Sequence, residues 1–347
     1  MVTASNKEKC EGCCKNIFMH NKVVVCSQCN VIAHFKCAQK TYNYDQIKDL
    51  WACWKCISNQ PQRYNPFDSI FYNKYLIDDH DALEETNLVT SILNNCKSLD
   101  LKSINKTNDV ASVFFNNIDG VTSNFDRLHT ELSTLKNQFS VITLAETNID
   151  STHKDLFKLP GYQSVFQSKI LHKHKGSGLG IYLNENFVFD TLAEHSQCSR
   201  DIESLFIKIT NTSQPLTVGV VYRPPNGNIV NFLMQFENLL ESLPDSNVII
   251  TGDFNINLHQ PINVKEFENR FFGHGFVPII SLATHFKPGC NPSCIDNIFV
   301  NTPGSIIMSG VSENTISHHH PIFCLYQAEC EKSLDKKSIL PKYDYIL

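Results

Sequence analysis

Eight polar residues in the larger part of the chain could together hydrolyse a phosphate ester. Each lies at or just beyond one end of a short apolar run, and together they supply carboxylates, amides, one phenol and one imidazole. The set contains no evident nucleophilic serine or cysteine. Oxygen ligands of this kind hold Mg²⁺, the metal polarises a phosphoryl oxygen, and a carboxylate or histidine activates water. The residues are Asn117, Asp119, Glu146, Tyr222, Asp253, Asn255, Asp296 and His319.

Each of these residues also has an ordinary structural explanation. Asn and Asp after a strand usually make turns. A glutamate at a strand end is usually solvated, and a lone histidine is more often a surface or satisfied residue than a catalyst. The hydrolytic interpretation therefore depends on the residues being brought together.

The elements that must position them are short, β-rich apolar runs. These runs end in Gly, Pro, Asn or Asp and are typical of strands; LTVGVVYRP, NVIITGDFN and CIDNIFVN are examples. Helical stretches are predicted at 125–138, 229–243 and 264–272. Many strands and few helices predict two packed β-sheets flanked by helices, a four-layered α/β sandwich over residues 111–327.

A cysteine-rich segment precedes this domain. Over residues 1–60 it places three C-x₂-C pairs and one H-x₂-C pair, a spacing that lets both ligands of a turn reach one zinc ion. Eight ligands imply two Zn²⁺, which would supply folding energy that the short apolar content cannot. The ligands are Cys10, Cys13, Cys26, Cys29, His34, Cys37, Cys53 and Cys56.

The ligand order resembles that of the PHD-type zinc finger, and Trp51 before the last pair fits that family. The resemblance implies alternating pairs. Cys10, Cys13, His34 and Cys37 would hold one ion, and Cys26, Cys29, Cys53 and Cys56 the other. Ile32 stands where methyl-lysine readers often carry a tryptophan, so methyl-lysine binding is weakly indicated. Contact with nucleic acid or with another protein is an equal alternative, and a purely structural role is the default.

The distribution of charge limits how the larger part of the chain can bind nucleic acid or another phosphate. The 347 residues carry 42% hydrophobic residues, 14 cysteines and a net charge of −5. The first 60 residues hold 8 basic and 4 acidic side chains, whereas residues 111–327 hold 13 and 19. The larger part is therefore not a generally basic nucleic-acid binder, and a phosphate substrate there needs a cation in the site.

Segments outside the two predicted domains carry no assigned chemistry. No run of about 18 apolar residues suggests a membrane span, and no secretory signal is evident at the N-terminus. An intracellular and nuclear location is expected. Residues 61–110 read as a linker with one amphipathic helix at about 81–99. Residues 328–347 read as a polar tail, as though a longer polyprotein continued beyond them.

Six ordered motifs resemble those of the endonuclease/exonuclease/phosphatase superfamily. They are NIDG, AET, VYRPP, GDFN, IDNIF and SHHHPI, and they span about residues 111–327. The resemblance implies that Glu146, with Asp119, binds Mg²⁺, and that Asn117 and Asn255 orient phosphate and carboxylates. It also implies that Tyr222 donates a hydrogen bond to the phosphate. Asp253 would activate water and His319, held by Asp296, would stabilise the transition state; an alternative gives His319 the role of base.

One residue departs from that pattern. His318 stands where the superfamily usually has an aspartate of the S-D-H motif, so weakened catalysis is expected. His320 fills a variable position.

The VYRPP and THF…IDNIF segments are most similar to endonuclease domains of non-LTR, LINE-type retrotransposons. This implies nicking of DNA to leave a 3′-hydroxyl for target-primed reverse transcription. Two alternatives stay open. One is an inactive nuclease fold that binds nucleic acid or chromatin through its zinc finger, and the other is a phosphatase of inositol or lipid phosphates.

Overall fold

A computed structural model describes most of the chain from residue 80 to residue 327 and short pieces before it. The described residues are 10, 18, 22–25, 32–35, 44–45, 50–51, 63–65, 80–105, 110–150, 152–168, 176–244, 246–260, 264–287 and 290–327. The predicted polar tail, 328–347, lies outside them.

The described residues form short strands and four α-helices. The helices are α1 His80–Asn95, α2 Val121–Ser133, α3 Ile229–Ser242 and α4 Val264–Gly273. The strands are β1 Val23–Val25, β2 Ile32–His34, β3 Tyr44–Asp45, β4 Leu50–Trp51, β5 Lys97–Leu99, β6 Ala111–Asn117, β7 Val141–Ala145, β8 Tyr162–Gln167, β9 Leu179–Asn184, β10 Phe189–Thr191, β11 Gln197–Cys198, β12 Glu203–Ile209, β13 Leu216–Tyr222, β14 Asn247–Asp253, β15 Val277–Pro278, β16 Asp296–Val300, β17 Ile306–Ser312 and β18 Ile322–Tyr326.

Two seven-stranded sheets carry the fold. Sheet A has the strand order β5-β17-β18-β6-β7-β9-β8, and sheet B has the order β10-β12-β13-β14-β16-β15 with β11 beside β12. Their inner faces pack together, and the hydroxyls of Thr143 on β7 and Thr251 on β14 hydrogen-bond across the gap at 2.8 Å. The two packed sheets predicted from the sequence are confirmed.

Helices cover the outer faces. On sheet A, Leu128 and Leu132 of α2 share an apolar cluster with Phe114 of β6. On sheet B, Phe267 of α4 packs on Phe299 of β16 with ring centroids 5.7 Å apart, and Phe236 of α3 packs on Phe267 at 5.6 Å. The central strands are buried on both faces, which explains why they read as continuous apolar runs.

Of the three helices predicted within the sandwich, one differs from its expected bounds by more than one residue. The helix predicted at 125–138 runs from Val121 to Ser133, because Gly120 (φ 91°) turns the chain into it four residues earlier. The helices predicted at 229–243 and 264–272 are present as Ile229–Ser242 and Val264–Gly273. Asn228 caps α3 by accepting hydrogen bonds from the backbone N–H groups of Val230 and Asn231.

The described parts of the predicted linker belong to the same folded body. Val89 and Leu93 of α1 are buried in the main apolar core. The helix ends at Asn95, before the predicted end at 99, and β5 then pairs in parallel with β17 at the edge of sheet A. The Tyr64 hydroxyl also donates to the Glu268 carboxylate at 2.5 Å. The sheet thus extends upstream of residue 111.

No described helix is long and apolar enough to cross a bilayer.

Candidate active site

The strand register brings the predicted residues to one edge of the sandwich. In sheet A, β6 and β7 run parallel, with Asn117 beside Ala145, so Glu146 follows at the same edge. In sheet B, the parallel pair β13 and β14 places Tyr222 beside Asp253. The antiparallel strand β16 begins at the same level. Because the sheets pack face to face, the two sets of strand ends converge.

Asn117 joins carboxylates from the two sheets. Its side-chain nitrogen donates to Glu146 Oε1 at 2.9 Å and to Asp253 Oδ2 at 2.8 Å. Its side-chain oxygen accepts the backbone N–H of Asp119 at 3.1 Å. The side chain is buried, so these bonds fix the separation of the two acids. An amide can do this because it donates two hydrogen bonds without adding charge.

Glu146 lies in a close-fitting cradle. The Tyr222 hydroxyl hydrogen-bonds to its carboxylate, and burial followed by the charges of Glu146 and Asp253 raises the pKa of Tyr222 far above its usual range. Tyr222 therefore stays protonated and can donate. A Cβ on Gly176 would lie 2.5 Å from Glu146 Oε2 and 3.0 Å from the Tyr222 hydroxyl oxygen. Only glycine leaves that carboxylate oxygen its space.

His319 and Asp296 form a buried pair. The ring Nδ1 lies 2.9 Å from Asp296 Oδ2 and 3.0 Å from Oδ1. The side chains are 12% and 1% exposed. Burial alone would lower the pKa of His319, but the charge of Asp296 and the hydrogen bond to it raise that pKa to about 9. The imidazole is therefore cationic at neutral pH.

Asp253 completes this group. One oxygen from each of Asp253 and Asp296 and one ring nitrogen of His319 all lie within 4.8 Å of one another. Burial raises the pKa of Asp253 to about 7, and the neighbouring Asp296 carboxylate acts in the same direction. A carboxylate of that kind can accept a proton from water near neutral pH.

The remaining predicted residues border the group. Asp119 is exposed at the start of the loop after β6. Asn255 donates its side-chain N–H to the Arg223 carbonyl at 2.8 Å, and its backbone N–H bonds Asp253 Oδ1 at 2.9 Å. Its amide group therefore holds the turn and does not contact Glu146 as Asn117 does.

Backbone strain concentrates here. Among the described residues, four that are not glycine have positive φ, and all belong to loops at this edge: Asp119 (47°), Glu146 (53°), Asn148 (54°) and Asn255 (49°). Such conformations cost free energy and persist where the surrounding structure enforces them, which is common at functional sites.

The three consecutive histidines have different surroundings. His319 alone of the three pairs with Asp296. The ring of His320 lies 4.4 Å from that of Phe286, and its Nδ1 is 2.8 Å from the Ser312 carbonyl oxygen. His318 is exposed, and its carbonyl oxygen accepts the Phe286 N–H at 3.0 Å.

The donor set suits a hard divalent cation. Within the described ranges, no lysine or arginine forms an ion pair with Glu146, Asp253 or Asp296. A further carboxylate, Glu203, lies nearby; burial raises its pKa, and Ser177 and Gly178 donate to its two oxygens. Carboxylates gathered with His319 as their one cationic partner among the described residues, together with the glycine cradle, fit a site for Mg²⁺ or a similar ion.

Most of the predicted zinc finger lies outside the described residues. Of its eight ligands only Cys10 and His34 are described, and the backbone N–H of His34 donates to Cys10 Sγ at 3.2 Å. Cys13, Cys26, Cys29, Cys37, Cys53 and Cys56 fall on residues that the structure does not describe. The finger and its two Zn²⁺ stay predictions.

Several contributing residues were missed by the sequence reasoning. Arg223 is buried and donates to the carbonyl oxygens of Phe254 (2.7 Å) and Asn255 (2.9 Å), which fixes the turn after Asp253. Thr284 donates to Asp296 Oδ2 at 2.6 Å. Both stand inside or beside quoted motifs, in VYRPP and THF, so motif position could have identified them. Gly176 and Glu203 had no such signal, because they meet the site only in three dimensions.

Solved structures with a similar fold include two endonucleases. The endonuclease domain of TRAS1, a telomere-specific non-LTR retrotransposon, is 14% identical, with a TM-score of 0.51 over 64% of this chain and 100% of that domain. The AP endonuclease LMAP from Leishmania major is 13% identical, with a TM-score of 0.50 over 72% of this chain and 99% of that one.

A zebrafish TDP2, solved with a single-strand DNA product, is 16% identical, with a TM-score of 0.47 over 62% of this chain and 98% of its own. No protein-family model and no curated protein sequence matches the chain at a significant level. The first two likenesses show that the chain shares the fold of these two endonucleases.

Proposed function

We propose that the protein is a Mg²⁺-dependent phosphodiesterase that nicks DNA and leaves a 3′-hydroxyl for target-primed reverse transcription. The observation that carries the proposal is the hydrogen bonding of Asn117 to Glu146 and Asp253, beside the buried His319–Asp296 pair. The proposed role in retrotransposition and the proposed nuclear location are supported by the motif resemblance and by the likeness of fold to the TRAS1 domain.

The residues divide the work according to their protonation. His319, cationic near neutral pH, donates a charged hydrogen bond to the phosphoryl oxygens as negative charge develops. Tyr222, which stays protonated, donates a second. Asp253 takes the proton of the attacking water. Glu146, with Asp119, would hold Mg²⁺, which when bound polarises a phosphoryl oxygen.

Asn117 keeps these groups in register. It binds one acid of each sheet, so the base and the metal-binding carboxylate cannot separate without breaking a buried hydrogen bond. Preorganisation of this kind lowers the barrier because few groups must move during the reaction. The finger would add contacts to DNA or chromatin beside the nuclease domain.

Supercoiled plasmid is expected to become nicked circles in the presence of Mg²⁺, and Glu146→Ala is expected to lower that rate by about 10²-fold or more. The measurement follows nicked product by gel, and extension of the nick by a DNA polymerase reports the 3′-hydroxyl. DNA binding without nicking would instead support an inactive fold that binds nucleic acid. Phosphate release from inositol polyphosphates would support a phosphatase.

One observation favours the alternative of an inactive nuclease fold. The exposed His318 stands at the position of the aspartate in the S-D-H motif. We expect His318→Asp to raise the nicking rate, since it returns a carboxylate beside His319. His320→Asp is the matched control, because it adds the same charge one residue beyond. An unchanged rate in His318→Asp would show that this position does not limit the reaction.

A further inference from the structure

Asn116 and Asn117 are adjacent on β6 and point to opposite faces of sheet A. Alternation along a strand places Asn117 with Phe115 on the inner face, toward sheet B. Asn116 shares the outer face with Phe114, on the side where Ile316 and Phe323 pack. The site therefore has an asparagine on each side of the same strand end.

Asn116 holds the main chain of His319. Its side-chain nitrogen donates to the His319 carbonyl oxygen at 2.9 Å. Ser317 completes the attachment, because its hydroxyl donates to the Asn117 carbonyl at 2.6 Å and accepts the His319 N–H at 3.1 Å. The two polar groups of the His319 backbone are thus both tied to the end of β6, while its ring reaches Asp296 in sheet B.

The other half of the Asn116 amide is unsatisfied. The side chain is fully buried, and its Oδ1 has no hydrogen-bond partner among the residues that the structure describes. Rotating the amide would not help, since it would then face the His319 carbonyl with an oxygen. A buried unpaired acceptor lowers stability, and an apolar side chain at this position would not carry that cost.

We infer that Asn116 is a positioning residue that fixes the main chain of His319, and with it the distance from the imidazole to the reacting phosphate. The inference deepens the proposed function and rests on it for its catalytic part. The Asn116 hydrogen bond fixes the position of the His319 backbone, and Asp296 fixes the orientation of its ring. The orphaned oxygen is the stability cost of a donor that only an amide at this place provides.

Asn116→Leu keeps a γ-branched side chain but removes both the donor and the orphaned acceptor. We expect the turnover rate for nicking to fall at least 10-fold with little change in KM. The melting temperature should change little, because the variant removes the orphaned Asn116 Oδ1 but takes the amide donor away from the His319 carbonyl. Ser112→Ala is the matched control on the same strand. It removes the buried Ser112 hydroxyl that accepts the Ser140 backbone N–H at 3.0 Å, so it should lower the melting temperature and leave turnover unchanged.

An NMR measurement on the His319 ring tests the inference without depending on nuclease activity. In the metal-free full chain, the ring ¹H–¹³C signal of His319, assigned by its loss in His319→Ala, should move in Asn116→Leu and stay in place in Ser112→Ala. Asn116→Ala serves if the leucine does not fit. An unmoved signal would overturn the inference even if wild type nicks DNA. If wild type does not nick but the signal moves, the positioning stands and the proposed function fails.

Discussion

Asp296→Asn is expected to reduce Mg²⁺-dependent nicking by about 10²-fold or more while leaving the fold intact. Asparagine has the same shape but no charge, so His319 loses the group that keeps it cationic. Burial already opposes the charge of His319, so without the Asp296 charge the pKa of His319 falls, although the charges of Asp253 and Glu146 still raise it. A neutral imidazole stabilises the developing charge far less. Turnover on plasmid, measured across pH, tests this.

The pH profile separates this effect from simple damage. Wild type should gain activity as Asp253 deprotonates near pH 7 and lose it as His319 deprotonates near pH 9. In Asp296→Asn the upper limb should move to lower pH. Asp190→Asn is the matched control, because that exposed carboxylate lies on β10, an edge strand of sheet B. An upper limb unmoved in Asp296→Asn would contradict the assignment of His319.

The His319–Asp296 pair also makes the free energy of unfolding depend on pH. The pKa of His319 is higher in the folded protein than its value of about 6.5 in the unfolded chain, so its stabilisation is complete below about pH 6.5. That stabilisation is lost as pH rises through about 9, and it amounts to the order of 3 kcal/mol. The free energies of unfolding of wild type and Asp296→Asn, measured in urea, should therefore converge at alkaline pH.

The sheets could be predicted because their central strands are buried on both faces. Runs such as those of β13 and β14 have nearly continuous apolar character, and polar residues mark where they end. The segment 80–105 could not be placed in the same way. Its helix is polar on most sides, and only contacts such as that of Leu93 with the core show that it belongs to the domain. β5 is three residues long and largely exposed.

The site was predictable in its parts and not in its connections. Motif order pointed to the carboxylates, the tyrosine and the histidine that the structure brings together, since each follows, ends or begins a recognisable strand. That Asn117 bonds two acids 29 and 136 residues away depends on how the sheets pack, which no local pattern encodes. Asn116 illustrates the limit, because in sequence it is only the neighbour of a recognised residue. Its contact with His319 spans 203 residues.

Gly176→Ala is expected to lower Mg²⁺-dependent turnover by about 10- to 10²-fold and to raise the Mg²⁺ concentration needed for half-maximal activity. The added Cβ would lie 2.5 Å from Glu146 Oε2, so the carboxylate must move. It is the flexible end of a side chain, and moving it costs the fold little. It is also the proposed metal ligand, and moving it separates the metal from Asp253. Nicking rates measured over a series of Mg²⁺ concentrations test both effects.

Gly161→Ala supplies the control for backbone strain. Gly161 and Gly176 have nearly the same φ, 80° and 81°, so alanine carries a similar conformational cost of about 1–2 kcal/mol at either position. At Gly161 the new Cβ meets only the Gln138 side chain, at 3.4 Å, away from the carboxylates. Both variants should therefore lose similar stability, and only Gly176→Ala should lose Mg²⁺-dependent activity. Equal turnover in the two would mean that the space beside Glu146 is not used by the reaction, because strain is common to both and crowding of that carboxylate is not.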